Sequence, residues 1–169
     1  MKRLMLLLLA VLLMMPAMAQ SLPGTWVTTE TMDEDSDGFV TKALVTDQLV
    51  MSADNSFRES GDMKMTIGKD DLLFSFTIVF SGGGTWKRDG ETLSIQYNSK
   101  LAKAELTDCD LPAVLKLMIA NAAVKEVKKG LSSKKPDIYQ IQSLTDTQLV
   151  LLDPESTEPG HEIQTFTRK

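Results

Sequence analysis

The chain has one cysteine, Cys109, and one histidine, His161, among its 169 residues. A single cysteine excludes an internal disulfide framework, and a single histidine excludes a His-rich zinc site. An exported chain with one thiol is expected to bury it as a small apolar side chain, the alternative being a reactive role. A Cys109 and His161 dyad has no spacing to support it, and no Gly-x-Ser-x-Gly elbow occurs. Basic residues are also in deficit, eighteen against twenty-three acidic, for a formal charge of −5. A chain of this sign offers no footprint for nucleic acid or for an anionic membrane surface. Long apolar runs are missing too: the longest, Leu4 to Met15, falls short of the ~20 residues that span a bilayer.

That short run has a different meaning. Lys2 and Arg3 precede it, Pro16 breaks it, and Ala17-Met18-Ala19 has the small-x-small form of a signal-peptidase site. Residues 1–19 therefore read as an export signal cleaved after Ala19, which places the mature protein in the periplasm or outside the cell. Lys2 and Arg3 leave with the signal and no acidic residue does, so the mature formal charge is −7. Residues 20–169 are about the size of one domain.

Alternation with period two dominates this mature segment, the signature of antiparallel β structure. In FRESGDMKMTI, Phe57, Met63, Met65 and Ile67 share one face, and Glu59 is the only misfit on it. Leu72, Phe74, Phe76, Ile78 and Phe80 share a face of the next run, LLFSFTIVF, after the turn residues 68–71. In TWKRDGETLSIQY, Asp89-Gly90 predicts a type I′ hairpin with Arg88 opposite Glu91 and Trp86 opposite Leu93. Trp86, Leu93, Ile95 and Tyr97 then form one apolar face. Gly82-Gly83-Gly84 before it reads as a bend or bulge. WVTTETM, KALVTDQLVMS, DIYQIQSL, QLVLLD and EIQTFTR supply the remaining strands. Eight or nine antiparallel strands of this length suit an up-and-down β-barrel, whose interior is filled by side chains or holds one small ligand.

One segment departs from the alternation. Over about 110–129, Asp110 as N-cap, Pro112 in the first turn, and Gly130 after a lysine-rich last turn predict an inserted α-helix of about five turns. Leu111, Val114, Leu115, Met118 and Ala122 make its main apolar stripe, and Leu117, Ile119, Ala120 and Val124 widen it, so the helix is expected to bury much of its surface against the barrel wall or over one end.

Gly24-Thr25-Trp26 at the start of the first mature strand and Arg168 at the end of the last resemble the lipocalins, in particular the short lipocalin-like domains of exported bacterial proteins. GTWKRDGETLSI and the Tyr139-x-Ile141-x-x-Leu144 run look like later strands of those domains. The resemblance implies that Trp26 closes one end of the barrel with Arg168 packed across it. The family's Thr-Asp-Tyr motif and its helix after the last strand are missing here, and the inserted helix stands before Lys135 instead. The implied function is non-catalytic binding of a small apolar or amphipathic molecule, lined by Phe57, Met63, Met65, Phe74, Phe76, Trp86, Ile95 and Tyr97. A filled barrel acting as an envelope protein-interaction or inhibitor module, with an unknown protein partner, is the alternative.

A last candidate lies in MDEDSDGFV. Asp33, Asp35, Asp37 and Gly38 match the first half of a calcium loop, but position twelve is Leu44 where a bidentate glutamate is required. The reading is a weak calcium site or simply a solvated acidic hairpin loop; no other cofactor is expected.

Overall fold

A computed structural model describes residues 21–36, 39–69, 72–156 and 162–169. The expected export signal of residues 1–19, Asp37 and His161 lie outside the described residues. Among the described residues nine strands and one helix follow in the order β1 (Gly24–Ser36), β2 (Phe39–Met51), β3 (Ser56–Lys69), β4 (Leu72–Asp89), β5 (Thr92–Tyr97), β6 (Lys103–Thr107), α1 (Ala113–Gly130), β7 (Asp137–Leu144), β8 (Gln148–Leu152) and β9 (Ile163–Arg168). All pairings are antiparallel. The sequence β1-β2-β3-β4-β5-β7-β8-β9 closes on itself, with Trp26 paired to Arg168 and Val27 to Thr167. The result is an eight-stranded barrel, compatible with a lipocalin-like fold, plus the extra strand β6 on β4 and one inserted helix.

The strands are unequal, and this shapes the molecule. β1 to β4 have 13 to 18 residues, whereas β5, β7, β8 and β9 have 5 to 8. At ~3.4 Å per residue the first four overhang the closed barrel by about half their length. Two cores result. Inside the barrel Trp26, Leu49, Met51, Phe57, Trp86, Leu93, Leu149, Leu151 and Phe166 are buried together. On the overhang, β6 extends the sheet along Thr77–Ser81, and α1 lies over the inner face of β4 and β6. There Phe76, Ile78 and Leu111 form a second cluster with Met63, Met65, Phe74, Leu106, Val124 and Val127 packed against it.

Four local expectations change. The acidic stretch is strand, because Asp33 and Asp35 project from the exposed face, where solvation costs nothing, and Asp33 pairs with Lys42 at 3.1 Å across the ladder. The β4–β5 hairpin pairs Asp89 with Thr92 and Trp86 with Ile95, a slip of two residues from the expected register. Gly90 alone has positive φ in that turn, at 61°, which is the requirement of a II′-type turn with glycine first. A slip of two preserves side-chain parity, so the apolar face of Trp86, Leu93 and Ile95 survives. The triple glycine is no bulge: Gly82, Gly83 and Gly84 pair in unbroken register with Glu59, Arg58 and Phe57. A Cβ at Gly84 would stand 1.9 Å from the Gln96 carbonyl oxygen, so the close approach of β5 is what excludes a side chain.

The helix differs most. Pro112, not Asp110, is its N-cap, and it makes no side-chain capping bond. Asp110 instead accepts the backbone N–H of Ser75 at 2.6 Å, fastening the helix entry to β4. Ala123, Val124 and Val127 face the sheet, while Val114, Leu117 and Met118 of the expected buried surface are exposed. The first half of α1 is apolar on several sides, so its own periodicity selects no face; Lys125, Lys128 and Lys129 in the second half do.

Candidate functional site

The site begins with two carboxylates on faces that are otherwise apolar. Along β2 the inward positions are Ala43, Val45, Asp47, Leu49 and Met51; along β3 they are Phe57, Glu59, Gly61, Met63, Met65 and Ile67. The register pairs Leu49 with Glu59 and Asp47 with Gly61, so the two acids are diagonal neighbours on one face. Their side chains line the same cavity and act on one another electrostatically. Both point into the barrel.

Four further strands complete the surroundings. Ile95 and Tyr97 come from β5, Tyr139 from β7, Leu151 from β8, and Gln164 and Phe166 from β9. Together with Asp47, Leu49 and Glu59 they line a partly open cavity of about 100 Å³ above the apolar barrel floor. The Tyr97 hydroxyl donates to Glu59 Oε2, and its ring meets Phe57 edge-on with centroids 5.2 Å apart. Asp47 Oδ1 is buried without any hydrogen-bond partner. One half of the cavity is thus carboxyl, phenol and amide, the other aliphatic and aromatic.

Burial governs the acid–base state. It pushes the Asp47 carboxyl up to about 8, and the nearby charges of Glu59 and Glu30 add to the rise. Glu59 is raised by burial as well; the Tyr97 hydroxyl opposes the shift and Asp137 reinforces it. The nearness of the two acids raises Asp47 and lowers Glu59. Burial, then Glu59, lifts Tyr97 well above the usual phenol range, and burial followed by Asp137 lifts Tyr139. At neutral pH burial therefore keeps Asp47 largely protonated.

The residues singled out from sequence disperse. Ile95 and Tyr97 line the cavity, and Phe57 and Trp86 belong to the barrel core beside it. Met63, Met65, Phe74 and Phe76 belong to the second cluster under α1. Trp26 is fully buried, with the Arg168 guanidinium 4.4 Å above its ring; its indole N–H donates to Leu22 O at 2.8 Å and Arg168 Nη2 donates to Ser21 O. Asp33 and Asp35 are exposed on the outer face of β1, and Asp37 lies outside the described residues. Among the described residues no three His, Cys, Asp or Glu side chains are grouped to hold a metal ion. Cys109 is half-buried against the second cluster. Among the described residues no helix is long and apolar enough to cross a membrane.

Asp47, Glu59 and Tyr139 did not figure among the sequence candidates. The available signal was Glu59 itself, the sole interruption of the apolar face of β3. No protein-family model matches the chain, and no curated protein matches it.

Proposed function

We propose that this chain is an exported, non-catalytic, lipocalin-like barrel that holds one small amphipathic molecule in its interior. The observation that carries this reading is the partly open cavity, polar at Asp47, Glu59, Tyr97, Tyr139 and Gln164 and apolar at Leu49, Ile95, Leu151 and Phe166. Drug-sized ligands occupy about 300–1,000 Å³, so a volume near 100 Å³ restricts the occupant to a few non-hydrogen atoms. The family assignment draws support from barrel closure and from Arg168 stacked on Trp26. Its non-catalytic character comes from composition, one histidine and one cysteine. Native mass spectrometry of protein purified from its own cell envelope tests the reading: a small bound mass is expected, lost when Ile95→Trp fills the cavity. An unliganded protein whose Tyr97 and Tyr139 resonances respond to no small polar molecule would overturn it.

A second reading, an interaction module, is favoured by one specific observation. Val114, Leu117 and Met118 on α1 are 74%, 67% and 65% exposed, an apolar strip on a surface helix. Cross-linking in cell-envelope extract that yields one discrete adduct, abolished when all three are changed to serine, is the result this reading requires. An adduct pattern unchanged by those substitutions removes it.

A further inference from the structure

The barrel cavity is unusual in the sign of everything around it. Asp47 on β2 feels like charge from Glu59 on β3 and Glu30 on β1, and Glu59 feels it from Asp137 on β7; among the described residues Lys135, exposed and engaged by Glu155, is the one cation felt, at Asp137. One buried acceptor is left unmet. The Tyr97 hydroxyl is committed to Glu59, and Asp47 Oδ1, fully buried, still lacks a donor. A missing donor, excess negative charge and aromatic rings at Tyr97, Tyr139 and Phe166 call for the same complement.

We propose that the cavity binds a small primary alkylammonium ion, its N–H groups on the Asp47 and Glu59 carboxylates and its hydrocarbon part against Leu49, Ile95 and Phe166. This inference rests on the reading of the cavity as a ligand site and adds the chemical class. Size follows from volume: at about 30 Å³ per water-sized group, 100 Å³ takes three or four non-hydrogen atoms. Propylammonium has four. An ammonium group supplies up to three donors, one for the orphaned Asp47 oxygen and others for Glu59. Entry of the cation displaces the proton that the buried Asp47 carboxyl holds at neutral pH. Binding is therefore proton-linked: one H⁺ leaves as one ammonium ion enters, and affinity rises as pH rises.

Isothermal titration of the mature protein with propylammonium, 1-propanol and propionate, each at pH 6, 7 and 8, tests the idea. Expected are binding of propylammonium alone, affinity increasing up to tenfold per pH unit over this range, and about one proton released per ion, read from buffers of different ionisation heat. Asp47→Asn should abolish the pH dependence and weaken binding at least tenfold; Glu59→Gln, which keeps an acceptor for Tyr97, serves as the second variant should the first lose its fold. Binding of 1-propanol with no preference for the cation would overturn the ammonium assignment and leave the ligand cavity standing. Failure of all three probes, while a neutral or anionic molecule is recovered from the native protein, also overturns it. Failure with nothing recovered removes the cavity reading as well. Propylammonium binding unchanged in both variants places the ion elsewhere and refutes the site.

Discussion

The guanidinium carbon of Arg168 lies 4.4 Å above the indole of Trp26, although 142 positions separate them in the chain. The two residues are also direct partners across the β1–β9 ladder, so one contact both closes the barrel and covers its end. Trp26→Ala should cost about 3–5 kcal/mol, the usual penalty for deleting a buried large aromatic. Arg168→Ala should cost less, about 1–2 kcal/mol: the cation–π contact is worth ~0.5–2, and Arg168 Nε is buried without a partner, which offsets part of it. A double-mutant cycle in urea should return a coupling of about 0.5–2 kcal/mol. Additive effects would mean the stacking carries no energy.

The buried acids predict an unusual pH profile. Asp47 has an ordinary value of 3.8 and stands at about 8 in the folded protein. Between those values the native state holds a proton that the unfolded chain has released, so stability falls as pH rises, by at most about 1.4 kcal/mol per unit. Glu59 and Asp137 are raised and act with the same sign. Melting temperature should therefore decline steadily from pH 5 to pH 8, and Asp47→Asn should flatten the curve. A rising or level profile in the wild type would contradict the burial of these acids.

Tyr97→Phe isolates one hydroxyl. The edge-on ring contact with Phe57 is kept, while Glu59 loses the donor that solvates it inside the barrel. A buried acceptor left unsatisfied costs about 1–3 kcal/mol. The loss should grow with pH, because an ionised Glu59 needs the donor more than a protonated one. Chemical denaturation at pH 6 and pH 8 checks both size and direction, and Glu59→Gln on the Tyr97→Phe background should recover part of the loss.

The architecture was legible where the physics is local. Period-two alternation and turn residues suffice for the antiparallel barrel, whereas the pairing of Trp26 with Arg168 follows only from the resemblance to the lipocalins. The hairpin at Gly90 keeps its buried face despite the shifted register, since a slip of two preserves parity. The triple glycine misled because the reason for it is a neighbouring strand, invisible to a one-dimensional reading. The carboxyl pair was harder still. Asp47 and Glu59 are twelve positions apart, each isolated on an apolar face, and only the β2–β3 register brings them together. Charged residues are expected to face water, so Glu59 read as an exception to an apolar stripe, when its burial was the informative feature.

Helix α1 offers the sharpest test of what one-dimensional periodicity leaves open. One docking phase buries Ala123, Val124 and Val127; the stripe expected from the first turns would bury Val114 and Met118 instead. The two phases predict opposite mutational patterns. Val124→Ala and Val127→Ala each remove two methyl groups from the second cluster and should cost about 1–1.5 kcal/mol at ~0.8 per methyl-sized group, less for partial exposure. Val114→Ser and Met118→Ser, at solvent-facing positions, should stay within about 0.5 kcal/mol. Asp110→Ala removes the acceptor for the Ser75 N–H and should cost about 1 kcal/mol, since that bond, and no helix cap, is what the side chain makes. Urea denaturation of the five variants decides the matter: large losses at Val114 and Met118 with small ones at Val124 and Val127 would turn the helix over, bury the exposed strip and remove the surface on which an interaction role depends.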